Sequence, residues 1–435
     1  MPPCYPPSFP YAIVGKPVTE LSIILPAINE ADNLSVPLPR LHDVAKTIGP
    51  YEIVVIDGGS TDDTPTRAAM HGAKVHFQKA RGYGMALKEA FELAQGKYIV
   101  TMDADYSHDP GFIRDLYAQR DRAAVAIASR YAPGGSSEVS GLRSTLSRIL
   151  NTVFRRVLSI PIRDMSSGFR LYRRSALQEI EITRRNFDAL EEILIKLVGM
   201  GHGVVEVPFT YKARGAGVSK ARVFKFGLQL AATLHSLWQL RNGCDWCDYD
   251  HRAYDSKHFL QRYWQRKRHE IIMDWHRAGG RVLDIGCGSS RILESVPGMV
   301  GLDVSIQKLR FMSHRGCLAL RGSVYDLPFP DGAFDEVIFS QVIEHIPPKP
   351  SIMGEIRRVM KPGGRLIIGT PDYDRMFWVI LEYFYNALKP EAYAHEHIAH
   401  YTLGSMRKLL ADNGFEHIRS RYVGGGELVQ LAIRR

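Results

Sequence analysis

Acidic residues collect at three places where apolar runs break off. PAINE (26–30) closes the run begun by LSIIL, DGGSTDDT (57–64) follows EIVVI, and MDADYSHDP (102–110) follows KYIVT. Asp103 and Asp105 carry the most specific chemistry of the three. Residues two apart on an extended chain project to one side, so both carboxylates can reach one divalent cation. Magnesium or manganese held there would bridge a substrate diphosphate and neutralise charge developing on a leaving group. A solvated acidic loop would read the same in isolation; the strongly apolar run before it and the two companion segments set this one apart. The opposite pole is KARGAGVSK (212–220), where Arg214, Ser219 and Lys220 surround Gly215 and Gly217. A glycine-rich backbone can wrap an anion, arginine offers phosphate a planar fork, and lysine offers a point charge. A plain basic surface loop is the other reading.

A second set of motifs fills the rest of the chain. VLDIGCGSS (282–290) is an apolar strand followed by a tight turn, and Gly286 and Gly288 let the main chain approach a ligand that a side chain would block. Asp303, in GLDVS after the next strand, stands about where an acidic group hydrogen-bonds ribose hydroxyls. Asp326, in SVYDLPFPDGAFD, follows the third strand. Glu344 and His345 come just after the fourth, and either takes a proton from an acceptor hydroxyl or only shapes a pocket. AHEHIAHY (394–401) holds His395, His397 and His400, which read as surface or pocket-lining histidines, with metal binding the rarer alternative. Cys244 and Cys247 form CDWC with no second pair nearby, so a thiol pair in a linker is expected rather than zinc.

Two series of strands must position these groups. LSIILP (21–26), EIVVID (52–57), KVHFQ (74–78), KYIVTMD (97–103) and AVAIAS (124–129) alternate with helix-like stretches, which argues for a parallel, doubly wound sheet. The pattern restarts with RVLDIG (281–286), MVGLDV (299–304), LALRGS (318–323), FDEVIFS (334–340) and RLIIGT (365–370), and HIRSRYVG and ELVQLAI make an antiparallel finish. Ligands of open parallel sheets bind at the carboxyl ends of the strands, where the acidic segments lie. Two independent series mean two domains, joined near the polar, aperiodic 241–255.

A chain of 435 residues has room for two or three domains, and its near-average apolar and charged content excludes a disordered or fibrous protein. The net charge of +10 invites a polyanion. Five cysteines over this length build no disulfide framework, so a reducing, intracellular setting is expected. The proline-rich start reads as an extended arm, neither signal nor transit peptide. Nothing approaches the ~18 apolar residues of a membrane span. In 223–240, Val223, Phe226, Leu230, Leu234 and Leu237 recur at helical spacing. That helix either packs on its own domain or lies in a membrane interface, with Lys220, Arg222 and Lys225 toward anionic headgroups. QRYWQRKRH (261–269) reads as a helix leading into the second domain, and FWVILEYFY (377–385) either covers an apolar acceptor or, as the commoner case, packs as core.

Residues 21–240 resemble family-2 glycosyltransferases, most of all those that make dolichol- or polyprenol-phosphate mannose. The shared text is LPAINEADNL, IVVIDGGSTDDT, RGYGMALKEAF, MDADYSHDP, ASRY, SSGFRLYRRSAL and EVPFTYKARGAGVSK. The resemblance implies that Pro26, Glu30 and Asp57 hold the nucleotide of a sugar-nucleotide donor and that Asp103 and Asp105 hold the metal. It also implies that Arg130 contacts phosphates and that the loop with Arg214, Ser219 and Lys220 receives a lipid phosphate. A lipid monophosphate is already an anionic nucleophile, so positioning and neutralisation replace a general base, and inversion follows. No QxxRW-type motif of processive synthases is present. Gly58 and Ser107 depart from common family residues, and Glu192 is either a family acidic position or a helix-surface residue.

Residues 265–435 resemble class I S-adenosylmethionine-dependent methyltransferases, through DIGCG, LDVS, YDLPFPDGAFDEVIFSQVIEHI, RRVMKPGGRLIIGTP and LLADNGF. The resemblance implies that Asp284, Gly286 and Gly288 cradle the methionine part, Asp303 binds ribose, and Asp326 lies by the adenine. SQVIEH replaces the D/N-P-P-Y of enzymes that methylate base amino groups, so no nucleic-acid partner is expected.

The expected protein is α/β throughout. A proline-rich arm (1–18) precedes a GT-A, Rossmann-like nucleotide-diphospho-sugar transferase domain (19–240), a linker (241–264) and a Rossmann-like class I methyltransferase domain (265–435). The first domain would move mannose or glucose from a nucleoside-diphosphate sugar to polyprenyl or dolichyl phosphate, using Mg2+ or Mn2+. The second would methylate a glycan or lipid acceptor with S-adenosyl-L-methionine. The alternatives are transfer to a sugar hydroxyl of a surface polysaccharide, and a silent second domain acting as scaffold. No multi-span membrane region accompanies these motifs, so contact with the cytoplasmic membrane face is expected from 223–240 and 148–162, with a membrane-protein partner as a further option.

Overall fold

A computed structural model describes residues 19–105, 107–138, 142–212, 223–380 and 397–435; Arg214, Ser219, Lys220 and His395 lie outside the described residues. The chain divides into two units. One reaches Leu194 and takes in Gly203–Leu234, and the other comprises Ile195–His202 and His235–Arg435. Among the described residues no helix is long and apolar enough to cross a membrane.

Strands of the first unit are β1 (Leu21–Ala27), β2 (Tyr51–Asp57), β3 (Lys74–Phe77), β4 (Tyr98–Thr101), β5 (Val125–Ser129), β6 (Ser136–Ser137), β7 (Arg170–Arg173), β8 (Val204–Pro208) and β9 (Thr210–Tyr211). Seven form one sheet in the order β3-β2-β1-β4-β7-β5-β8, and β6 pairs with β9 apart from it. Leu21, Ile23, Ile24 and Leu25 are all buried although they alternate between faces, as expected of a strand covered on both sides. The sheet is mixed rather than parallel throughout, because β7 runs antiparallel to both β4 and β5. Its text, RLYR, hides a strand behind two arginines. Arg170 is nevertheless fully buried, its guanidinium donating from Nη1 to the Leu190 carbonyl at 2.8 Å and from Nη2 to the Met165 carbonyl, while Nε has no partner among the described residues.

Strands of the second unit are β10 (Val282–Ile285), β11 (Val300–Asp303), β12 (Leu318–Arg321), β13 (Phe334–Ser340), β14 (Met360–Pro371), β15 (Phe415–Val423) and β16 (Glu427–Arg434). They form one sheet in the order β12-β11-β10-β13-β14-β16-β15, with β16 antiparallel to both neighbours, as the final hairpin predicts. One core packs Leu283, Phe334, Val337 and Phe339 on one face. Another packs Ile338, Ile367 and Val429 against Ile271, Ile272 and Trp275 of helix Phe259–Trp275. The basic-aromatic segment 261–269 is thus part of a core-packed helix.

Two expectations need correction here. The stretch 241–255 is not aperiodic: it contains helix Tyr249–Tyr254, and Asp248 accepts from Arg241 at 2.5 Å and from Arg252 at 2.9 Å. Phe377, Val379 and Ile380 are not core, being 52%, 41% and 48% exposed. They follow β14 past the sheet edge, where Phe377 meets the Trp264 ring rather than strand side chains.

Helix and sheet are tied by Arg268, which grips the fully buried Glu427 of β16 through two bonds of 2.6 and 2.7 Å. Removing one partner of such a pair strands a buried charge, whereas replacing both with apolar groups does not. Glu427→Gln is therefore expected to cost about 3–5 kcal/mol and the double change Arg268→Met/Glu427→Leu clearly less. Urea unfolding of the full chain checks this, and a double variant no more stable than the single one contradicts it.

Candidate functional site

In the first unit the carboxyl ends of β1, β2 and β4 lie side by side. Ala27 is level with Asp57 in register, and Met102 donates its N–H to the Ile24 carbonyl at 3.1 Å. The loops beyond are laced together: Ser60 Oγ accepts from Asn29 N–H at 2.9 Å, Thr64 Oγ1 from Glu30 N–H at 2.8 Å, and Asn29 Oδ1 from Thr61 N–H at 2.7 Å. Pro26 sits in β1 level with Ile56, and the Glu30 carboxylate accepts from the Asn33 amide at 2.5 Å. Asp57 is 2% exposed; its Oδ2 takes the N–H groups of Gly59 and Ser60, both at 3.1 Å. Its Oδ1 is buried with no partner among the described residues. A buried carboxylate oxygen left without a donor costs roughly 1–3 kcal/mol, so the site fits a ligand that brings one.

Asp103 and Asp105 lie past the end of β4, so strand alternation does not align them. Loop bonds hold each of them separately. Asp105 is buried and its Oδ1 accepts from Ser107 N–H at 3.0 Å and from the Ser107 hydroxyl. Asp103 keeps its side chain partly exposed, and its N–H donates to His108 Nδ1 at 2.9 Å. His108 is itself buried, with its ring 4.8 Å from that of Phe169. This positioning histidine was missed because nothing in SHDP distinguishes it from a surface residue. Carboxylate oxygens are the donors that magnesium and manganese prefer, so these two residues fit such an ion in kind.

Two reversals, β4 to β7 and β7 to β5, make β5 run the same way as β4, so Arg130 at its end reaches the same edge as Asp103. Its guanidinium forms a fork with Asp164 (2.8 and 2.7 Å), which is fully buried, and Nη2 also donates to Ser166 at 2.9 Å. Asp164, unremarked in the sequence, thereby fixes an arginine that borders a cavity of about 340 Å³ shared with Arg148, Arg155, Arg163 and Asn151. No acid is among its lining residues. Glu192 is not on a helix surface: it is buried and accepts from the N–H groups of Thr183 and Arg184 at 3.0 and 2.8 Å.

In the second unit the turn after β10 requires its glycines. Gly286 has φ +71°, and a Cβ there would come within 2.3 Å of Val342. Gly288 has φ +51° and faces Asp250 Oδ2. Its N–H donates to Asp303 Oδ2 at 2.8 Å, so the acid at the end of β11 braces the turn. Asp250 comes from the segment read as a linker. It accepts from Ser289 N–H (3.1 Å) and Lys308 (3.0 Å), and although burial opposes ionisation, Lys308 and the Ser289 groups hold it below the usual carboxylate range. Asp326 is exposed on the loop after β12. Asp284 is buried and its Oδ2 has no partner among the described residues. Burial, aided by Asp303, pushes it up to about 8. A cationic ligand group at this turn would complete it, as the methionine ammonium of S-adenosylmethionine would. Glu344 is fully buried beyond β13, and burial, with Glu427 adding, pushes it up to about 8 as well. His345 follows it, half-buried.

Residues 22–181 match the family model described as glycosyl transferase family 2, and residues 256–420 match one described as a methyltransferase domain. The chain is 32% identical over 224 residues to a polyprenol monophosphomannose synthase of Mycolicibacterium smegmatis, covering 47% of this chain and 82% of the relative. It is 35% identical over 214 residues to a dolichol-phosphate mannosyltransferase of Pyrococcus furiosus, covering 47% of this chain and 59% of that one. A solved methyltransferase from Thermotoga maritima, described as S-adenosylmethionine-dependent and a possible histamine N-methyltransferase, is 20% identical and covers 42% of this chain and 94% of its own, with a TM-score of 0.37. The chain belongs to glycosyl transferase family 2. It joins a GT-A-type domain of that family to a class I methyltransferase domain.

Native Asp284 holds its proton to about pH 8, while in the unfolded chain it releases it near ~3.9. Between those values the native state binds more protons, so its stability falls as pH rises, and the loss is complete above the native pKa. Asp284→Asn removes this term. Differential scanning calorimetry from about pH 5 to about pH 8 should show a smaller fall for the variant than for the wild type in the second unit's transition; parallel falls contradict the reading.

Proposed function

We propose that this protein is a bifunctional transferase. Its first unit passes a hexose, mannose or glucose, from a nucleoside diphosphate to a polyprenyl or dolichyl phosphate with inversion. Its second passes the methyl group of S-adenosylmethionine to a glycan or lipid acceptor. The observation that carries the first half is the arginine-lined cavity at the same sheet edge as Asp57, Asp103 and Asp105. Arg148, Arg155 and Arg163, beside an Arg130 already paired with Asp164, suit a polyanion. Transfer to a neutral hydroxyl would call for a general base, whereas a phosphate acceptor needs alignment and charge neutralisation. The relative of known name that shares 32% identity supports the same acceptor class.

In this reading Asp57 and the braced 26–30 loop hold the nucleotide. Asp103 and Asp105 hold magnesium or manganese, which when bound neutralises the diphosphate leaving group. Asp164 keeps the Arg130 fork aimed, and Arg148 and Arg155 add charge from helix Leu142–Leu158. Arg214, Ser219 and Lys220 would join them from the loop outside the described residues. In the second unit Asp284, the glycine turn and Asp303 hold the methyl donor, with Asp326 toward the adenine.

Helix Leu142–Leu158 supports association with the cytoplasmic membrane face. Asn151, Phe154 and Leu158 are buried, while Leu146, Ile149, Val153 and Val157 form an apolar stripe 40–54% exposed. An amphipathic helix with basic residues beside an outward apolar stripe suits a lipid interface. Helix Val223–Asn242 adds exposed Trp238 and Leu240, though Leu237 is buried.

The test offers the full chain GDP- and UDP-hexoses with polyprenyl phosphate and with oligosaccharide acceptors, in manganese or in chelator. Hexose on the lipid phosphate is expected, falling by at least ~100-fold in chelator and in Asp103→Asn/Asp105→Asn. Product on oligosaccharide hydroxyls alone, or full turnover in chelator, overturns the assignment.

A further inference from the structure

Glu344, His345 and His397 come from distant parts of the sequence, yet each places a ligating atom within 4.8 Å of the others. The first two follow β13 through a strained position, Gln341, whose φ is +60°. The third is brought in by the main chain, because Ile398 and Ala399 donate their N–H groups to the Glu344 carbonyl at 2.7 and 3.1 Å. The rings of His345 and His397 are 4.8 Å apart. His397 Nδ1 meets the Tyr373 hydroxyl at 2.8 Å, the kind of contact that fixes the orientation of a ligating imidazole. Gln341, once its amide is turned to satisfy its neighbours, would donate to Glu344 Oε1 at 3.2 Å. The other, Oε2, is fully buried with no partner among the described residues. No other group of three such side chains among the described residues meets this spacing.

We propose that Glu344, His345 and His397 bind a divalent transition-metal ion, and that its open positions take the hydroxyl of the methyl acceptor. Two imidazoles and one carboxylate suit zinc, manganese, iron or cobalt better than calcium or magnesium, which favour all-oxygen cages. Three protein ligands leave room for substrate, the arrangement of a catalytic rather than a structural site. The location fits: Val342, two residues before Glu344, is the side chain that a Cβ on Gly286 would strike, so the cluster adjoins the turn read as the methyl-donor site. The proposal rests on that reading. A hydroxyl bound to such an ion loses its proton more readily. The acceptor O–H breaks with its proton passing to solvent, the oxygen bonds to the methyl carbon, and the S–CH3 bond breaks, leaving neutral S-adenosylhomocysteine. Glu344 then serves as a ligand, not as the base that its sequence position also allows.

Cobalt(II) is the probe, added to metal-stripped full chain carrying Asp103→Asn/Asp105→Asn, so that the first unit does not compete. One equivalent by equilibrium dialysis, with visible ligand-field absorption, is expected. Glu344→Gln and His397→Gln should each abolish stoichiometric binding, and Tyr373→Phe should weaken it about tenfold. Equal cobalt uptake by the parent and by both ligand variants, or no stoichiometric uptake by the parent, overturns the site. Calorimetry with S-adenosylmethionine separates the two readings. Cobalt held by these residues in a chain that binds no S-adenosylmethionine overturns the acceptor role, while a chain that binds S-adenosylmethionine but takes up no cobalt overturns the metal.

Discussion

A carboxylate buried beside the end of a strand must find donors for both oxygens or remain costly to fold. At three strand ends among the described residues one of its oxygens is left without a donor, and Asp188 Oδ1, just before a helix, is a fourth such oxygen. Asp57 Oδ1, Asp284 Oδ2 and Glu344 Oε2 are buried without partners among the described residues. Each unmet oxygen costs roughly 1–3 kcal/mol. Asp57 ends β2, Asp284 lies one residue short of the end of β10, and Glu344 follows β13, at the edges where parallel sheets take their ligands. The architecture around them serves to keep these oxygens in place: laced loops in the first unit, glycines at positive φ in the second.

The two units meet this constraint with different electrostatics. In the first, acids at one part of the edge are matched by a fork of Arg130 on Asp164 and by further arginines along the cavity. A transfer between phosphates, as proposed, would need no proton carrier, and His108 Nδ1 is engaged in accepting the N–H of Asp103. In the second unit the turn glycines, Asp250 and Asp303 build a narrow cradle in which Asp284 stays protonated without a cationic ligand. The membership in glycosyl transferase family 2 and the methyltransferase domain behind it fit this division of chemistry.

Much of the fold was legible in the sequence because burial on both faces writes a continuous apolar run, as in LSIIL and DEVIF. Strand β7 was not, since Arg170 is buried by hydrogen bonds to carbonyls supplied from elsewhere in the chain. The strand-end acids and the glycine turn were also legible, their types being tied to local geometry. Their supports were not. Asp164, His108 and Asp250 act only through partners that the fold brings to them. Glu344 and His345 were visible as reactive groups and His397 as one of three histidines, but their convergence depends on main-chain bonds between remote segments.

The central claim is that an incompletely bonded carboxyl buried at a strand end marks a ligand site that the ligand's own charge completes. Proton release on binding S-adenosylmethionine tests it most directly, by calorimetry at about pH 7 in buffers of different ionisation enthalpy. Asp284 holds its proton to about pH 8 in the unliganded chain and would ionise against the ligand's positive charge, so release approaching one proton is predicted, and little or none from Asp284→Asn. Binding that releases no proton, or an equal release from the variant, would contradict the account.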